Sequence, residues 1–145
     1  MKTFTNEIGG RVIIIRLDRG DKVLESVKKA IKEQNIENAA IVCGYGSMDH
    51  CHMHWLATTS ETYPAENEYM SWDHKPVELC SMSGVIADGE PLIHAVASTG
   101  GKTVGGHLET ECTAGYCLEI VIYEHSGIKL ARKPTGWGPD ALEEI

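Results

Sequence analysis

One segment of the chain alone spaces its apolar residues for a helix, and this restricts the available folds more than any other feature. Between Asp21 and Asn35, the side chains of Val23, Leu24, Val27, Ala30 and Ile31 recur at helical intervals on one face. Glu25 and Lys29 stand four residues apart in the favourable order. Gly20 or Asp21 is placed to cap the start, and Asn35 to stop the helix. Lys28, Lys29 and Lys32 then fall on its solvated side.

The rest reads as strands. Arg11 to Leu17 (RVIIIRL) is short and β-branched, and Ala39 to Gly44 (AAIVCG) is a buried-type strand before a turn at Gly44-Tyr45-Gly46. Cys51 to Ala57 (CHMHWLA) alternates, as a strand with two distinct faces does. Asp88-Gly89 predicts a hairpin between 77–87 and 92–97, and Gly115 to Glu124 a further strand. Polar 58–75 is expected to be an irregular excursion or an edge, and 133–145 a tail on the surface. One helix and about six to eight strands with hairpin-length connections imply an α+β fold with a mostly antiparallel sheet. The 145 residues suit a single domain over 1–145, with a core of about 12–124 and a C-terminal tail at 125–145.

The stretch STGGKTVGGHLETEC, Ser98 to Cys112, contains Gly101-Lys102-Thr103, the end of a phosphate-binding loop. That loop needs a glycine five residues before the Gly-Lys pair, and Val96 stands there. Gly100 to Thr103 is therefore a hairpin turn with Lys102 exposed. Other classes are disfavoured by composition. Thirteen Lys and Arg against 21 Asp and Glu give a net charge of −8, adverse to a phosphate backbone. Trp55, Trp72 and Trp137 are too dispersed to form a stacking platform. The five cysteines lack a CxxC pair and fit a reducing compartment, with Cys112 and Cys117 expected in or near the core. The first residues have no apolar run of signal-peptide length, so the expected location is cytoplasmic.

The histidines carry the chemistry. His50, His52 and His54 alternate in HCHMHW and share one strand face. His94 lies mid-strand beside Leu92 and Val96, and His107 follows Gly105-Gly106, where a small backbone permits close approach. Two strand histidines plus a third from a neighbouring strand can hold zinc or a similar ion and leave positions open. A surface or hydrogen-bonded pair is the alternative. Glu109 and Glu111 share strand parity with His107 and could be ligands, a general base or a solvated edge. Arg16, on the face of Val12 and Ile14, could take a substrate carboxylate or form a structural ion pair.

Three segments in order, from Arg16 to Met48, Val77 to Ser98 and Gly100 to Glu124, resemble the PPC domain. This plants and prokaryotes conserved domain also occurs in plant AT-hook nuclear proteins. The resemblance runs from about Val12 to Glu124. Its most specific parts are Arg16-Leu17 with Gly20, Met82-Ser83-Gly84, and Gly105-Gly106-His107-Leu108. It implies one helix on an antiparallel sheet, assembled as a homotrimer. Bacterial and archaeal members carry a provisional DNA-binding label taken from the plant relatives, whose AT-hook has an Arg-Gly-Arg-Pro core. Arg132-Lys133-Pro134 is the nearest match here and is not such a core.

The family pattern often has His-x-His where this chain reads His94-Ala95-Val96, and in some members such histidines resemble a metal site. His94 and His107 match, Val96 replaces the second strand histidine, and His54 or His52 could supply a substitute. Three functions follow as expectations. The first is a trimeric binding module with a histidine-lined metal or small-ligand site, recognising a small molecule or a protein partner. The second is a metal-dependent enzyme acting on a small metabolite, and the third a DNA-associated regulatory protein.

Overall fold

The computed structural model describes residues 1–7, 9–58, 65–136 and 138–145, with the backbone alone for 2–7. Trp137 and residues 59–64 of the expected polar excursion lie outside the described residues. In chain order the elements are β1 (Lys2–Glu7), β2 (Arg11–Leu17), α1 (Val23–Gln34), β3 (Ala39–Leu56) and β4 (Asn67–Ala87). They continue with β5 (Glu90–Thr99), β6 (Lys102–Leu108), β7 (Thr113–Glu124), β8 (Leu130–Lys133) and β9 (Ala141–Glu144). A seven-stranded sheet runs β1-β2-β7-β3-β4-β5-β6, every pairing antiparallel. The edge strand β6 also returns to pair with the far end of β3, so β3, β4, β5 and β6 close on themselves. The fold is thus α+β, one helix on a mostly antiparallel sheet.

The helix forms where its apolar spacing predicts. Val23, Leu24, Val27, Ala30 and Ile31 are its buried residues, clustered with Ile13, Ile15 and Leu17 of β2 and Leu118, Ile120 and Ile122 of β7. Each large aliphatic side chain removed from water here contributes about 1.5–3 kcal/mol. Asn35 ends the helix in the left-handed conformation (φ 53°, ψ 46°), which asparagine tolerates. The start departs from expectation. The cap position is Lys22, without a side-chain cap bond, because Asp21 instead accepts the backbone N–H of Asp18. Lys29 pairs with Glu33 rather than Glu25, whose carboxylate accepts the N–H of Glu111.

Two further expectations are corrected and one is refined. Gly44-Tyr45-Gly46 is not a turn, because β3 runs straight through it as an 18-residue strand. Its glycines serve packing: a Cβ on Gly44 would lie 2.9 Å from Met82 Cβ, and one on Gly46 2.3 Å from the carbonyl oxygen of Cys117. The C-terminal segment, expected as a tail on the surface, contains a two-stranded hairpin, β8 with β9. Cys117 is exposed, although Cys112 is buried as expected, and all five thiols are free. Residues 67–73 of the polar segment form an edge, since this half of β4 pairs with β3 while its later half also pairs with β5. The turns at Asp88-Gly89 and Gly100-Gly101 fall where the sequence puts them, and Lys102 is exposed. Among the described residues no helix is long and apolar enough to cross a membrane.

Candidate metal and ligand site

Strand register brings three histidines together. His54 of β3 stands opposite His107 of β6, and His94 of β5 stands opposite the same His107. Directly opposed residues of antiparallel strands project to one side of the sheet, so the imidazoles form a row across three adjacent strands. Ring centres lie 4.8 Å apart for His54 and His107, and 5.5 Å for His94 and His107. The sequence neighbours Met53, Ile93, Ala95 and Leu108 are buried in the core, so alternation sends the histidines outward. Gly106 permits the approach of β6 to β3, because a Cβ there would meet the His54 carbonyl oxygen at 2.4 Å.

The row lines an open cavity of about 590 Å³ whose walls include Trp55, Ser81, Ser83 and Val96. Glu109 follows β6 and turns back, its backbone N–H donating to the His52 carbonyl at 3.0 Å. Its carboxylate contacts Nδ1 of His54. An ionised carboxylate in that position accepts a hydrogen bond from Nδ1–H, which fixes the tautomer that leaves the His54 Nε2 lone pair free. Burial lowers the pKa of His107, with His54 and then His94 adding to the shift and Glu109 opposing it. Neutral imidazole, the form that ligates metals, is therefore favoured at His107.

These donors fit a divalent transition metal by type and by order. Among the described residues, however, no group of three His, Cys, Asp or Glu side chains is posed to hold an ion as it stands. A shared ion requires the rings to turn about their terminal torsions, which are broad for histidine.

The other candidates lie elsewhere. His52 shares the strand face of His54 but is outside the cavity, its ring near His50 (6.5 Å) and Tyr69 (6.0 Å). His50 pairs with Asp73. The backbone of His52 clasps the Cys112 thiol, N–H to Sγ at 3.1 Å and Sγ to carbonyl at 3.2 Å. Hydrogen bonding to Cys112, together with burial, pushes the Cys51 thiol far up, while the same bond holds the Cys112 thiol below its ordinary value. Glu111 is held by Lys22 at 2.8 Å on the surface, away from the cavity. Arg16 makes an ion pair with Asp18 at 3.0 Å and does not line the cavity. Sequence reasoning missed Ser81 and Ser83. The Asp88-Gly89 hairpin already implied that Ser83 stands opposite His94, but only the pairing of β6 with β5 and β3 shows that this face walls a cavity.

Fold and site define a class: a one-helix antiparallel sheet whose polar chemistry is carried by strand histidines on the outward face. Residues 5–126 match the model of the Plants and Prokaryotes Conserved (PCC) domain, and the chain belongs to that family. Among solved structures it is similar to a plant- and prokaryote-conserved (PPC) protein of Pyrococcus horikoshii, at 25% identity and TM-score 0.74, over 99% of this chain and 96% of that one. A metal-containing protein of Archaeoglobus fulgidus aligns at 23% identity and TM-score 0.75, over 99% and 100% of the two chains. A protein of Bacteroides thetaiotaomicron, provisionally named DNA-binding, aligns at 14% identity and TM-score 0.80, over 97% and 96%. A curated relative, the bifunctional protein GlmU of a Synechococcus strain, is 26% identical over 139 residues. The match takes in 93% of this chain but 21% of that protein's length.

Proposed function

We propose that the chain is a cytoplasmic, homotrimeric binding module in which His54, His94 and His107 hold zinc or a similar divalent metal beside a small-molecule pocket. The observation that carries this reading is the register that sets His54 and His94 on either side of His107. Glu109 acts in it as the group that orients His54, not as a ligand. Three imidazoles leave coordination positions open toward the cavity, where a ligand's oxygen or nitrogen donors can enter. His52, Arg16 and Glu111 have no part in it. The metal-containing relative from Archaeoglobus supports the reading by name. Association of three copies is supported by Ile14, Val42 and Tyr45, large side chains left exposed to solvent.

Elemental analysis of untagged protein tests the site. Metal is expected in the wild type and depleted in His94→Ala and His107→Ala. Absence of metal, or occupancy indifferent to both substitutions, refutes it. A second reading, a metal-dependent enzyme on a small metabolite, is favoured by the openness of the cavity and by a carboxylate touching one of its histidines. The provisional DNA-binding name of the Bacteroides protein gains no support from this chain's charge of −8.

A further inference from the structure

A second hollow, of about 410 Å³, opens beside the histidine cavity and shares Ser83 and His94 with it. Its far wall is the β8–β9 hairpin, which contributes Arg132, Asp140 and Leu142. Arg132 donates from one terminal nitrogen to the Glu90 carbonyl and from the other to the Val85 carbonyl, each at 3.0 Å. A guanidinium has five N–H donors, so three remain. The groups that hold it are neutral carbonyls. Burial lowers its pKa while the Glu90 carboxylate pulls the other way, and it stays charged. A partly dehydrated cation bonded only to carbonyls is stabilised by an entering anion.

Asp140 lines the same wall. A singly charged carboxylate tolerates that neighbour better than a phosphate dianion does, and it matches the planar fork of arginine. Leu92 supplies an apolar floor between the two ends, and Val96 flanks His94 on the far side, both on the outward face of β5 and 37% and 39% exposed. Leu142 rises opposite, 44% exposed. Val85 pairs with Leu92, two residues before His94, so the Arg132 end and the histidine end are roughly 7 Å apart along the strand.

We propose that the two hollows form one groove for an elongated carboxylate. Its carboxylate group rests on Arg132, its short apolar chain on Leu92 and Leu142, and its polar head at His94 and His107. The head end rests on the metal reading above; the Arg132 end does not.

Straight-chain dicarboxylates from glutarate to suberate serve as probes, titrated calorimetrically into untagged protein with added zinc and again after chelation. Affinity is expected to depend on chain length and to fall about ten-fold or more in Arg132→Gln, with zinc content unchanged. Because Arg132 also ties β8 to the β4–β5 hairpin, Leu142→Glu is the companion variant. It puts a carboxylate into the groove without touching those backbone bonds, and the same weakening is expected. Wild-type affinity in both variants, or no binding of any probe by the wild type, overturns the proposal. If the wild type holds no zinc, the metal reading fails, yet Arg132-dependent binding in chelated protein still supports the groove.

Discussion

Gly106 shows how much of the site depends on one missing side chain. β6 can cross to β3 only because nothing projects toward the His54 carbonyl, and without that contact His107 would not face His54. In Gly106→Ala the new Cβ, 2.4 Å from a backbone oxygen, cannot be relieved by a rotamer change, so one strand must move. The expected result is a loss of about 1–3 kcal/mol in chemical denaturation, typical of overpacking. Metal occupancy should fall with it. Gly105→Ala is the control: its Cβ would meet the Val96 side chain at 3.4 Å, a near-ordinary contact, and the effect should be smaller. Equal, negligible effects at both positions would show that the β3–β6 approach is not fixed by glycine. The sequence marks Gly105-Gly106 as a place of close approach. It does not say which strand approaches, since that partner, His54, is more than fifty residues away in β3.

Among the elements, those with a local physical signature were legible and those built by distant pairing were not. The helix followed from its apolar spacing, and the Asp88-Gly89 turn from residues that accept positive φ (50° and 74°). Gly44 and Gly46 misled, because a glycine that admits a neighbouring strand looks in sequence like one that makes a turn. The β8–β9 hairpin carries no strong alternation, so only the structure reveals Arg132 as part of a cavity wall. The helix entry gives a pH prediction. The backbone N–H of Asp18 holds the Asp21 carboxyl below its ordinary value of 3.8, with the chain's terminal ammonium assisting. A depressed folded-state pKa stabilises the protein above the unfolded value and ceases to do so as pH falls through the folded one. Asp21→Asn should therefore lower the denaturation midpoint at pH 7, and the gap should close only in acid, as pH falls below 3.8 and through the depressed folded-state value. A gap that persists unchanged into acid would locate the effect in packing instead of ionisation.

For the whole molecule, the side chains left exposed bear on assembly. Val42 is 57% exposed next to the buried Ile41, at a bulge in the β3–β7 pairing, and Tyr45 is 53% exposed with its hydroxyl on Glu119. Ile14, 38% exposed, alternates with Ile13 and Ile15 of the core and so points away from it. A lone exposed aliphatic residue needs no explanation, but large ones on β2 and β3, which flank β7 in the sheet, cost solubility unless covered. A second and third copy of the chain would cover them, and the carboxylate of Glu119 would keep its bond to Tyr45 within such an interface. Sedimentation velocity of untagged protein should accordingly give a single species of three chain masses. Val42→Glu should convert it to monomer at the same concentration, because a buried unpaired carboxylate costs several kcal/mol per site, while its far-ultraviolet circular dichroism stays that of the wild type. A wild type that sediments as a monomer would refute the trimer and leave the histidine row, which lies within one chain, untouched.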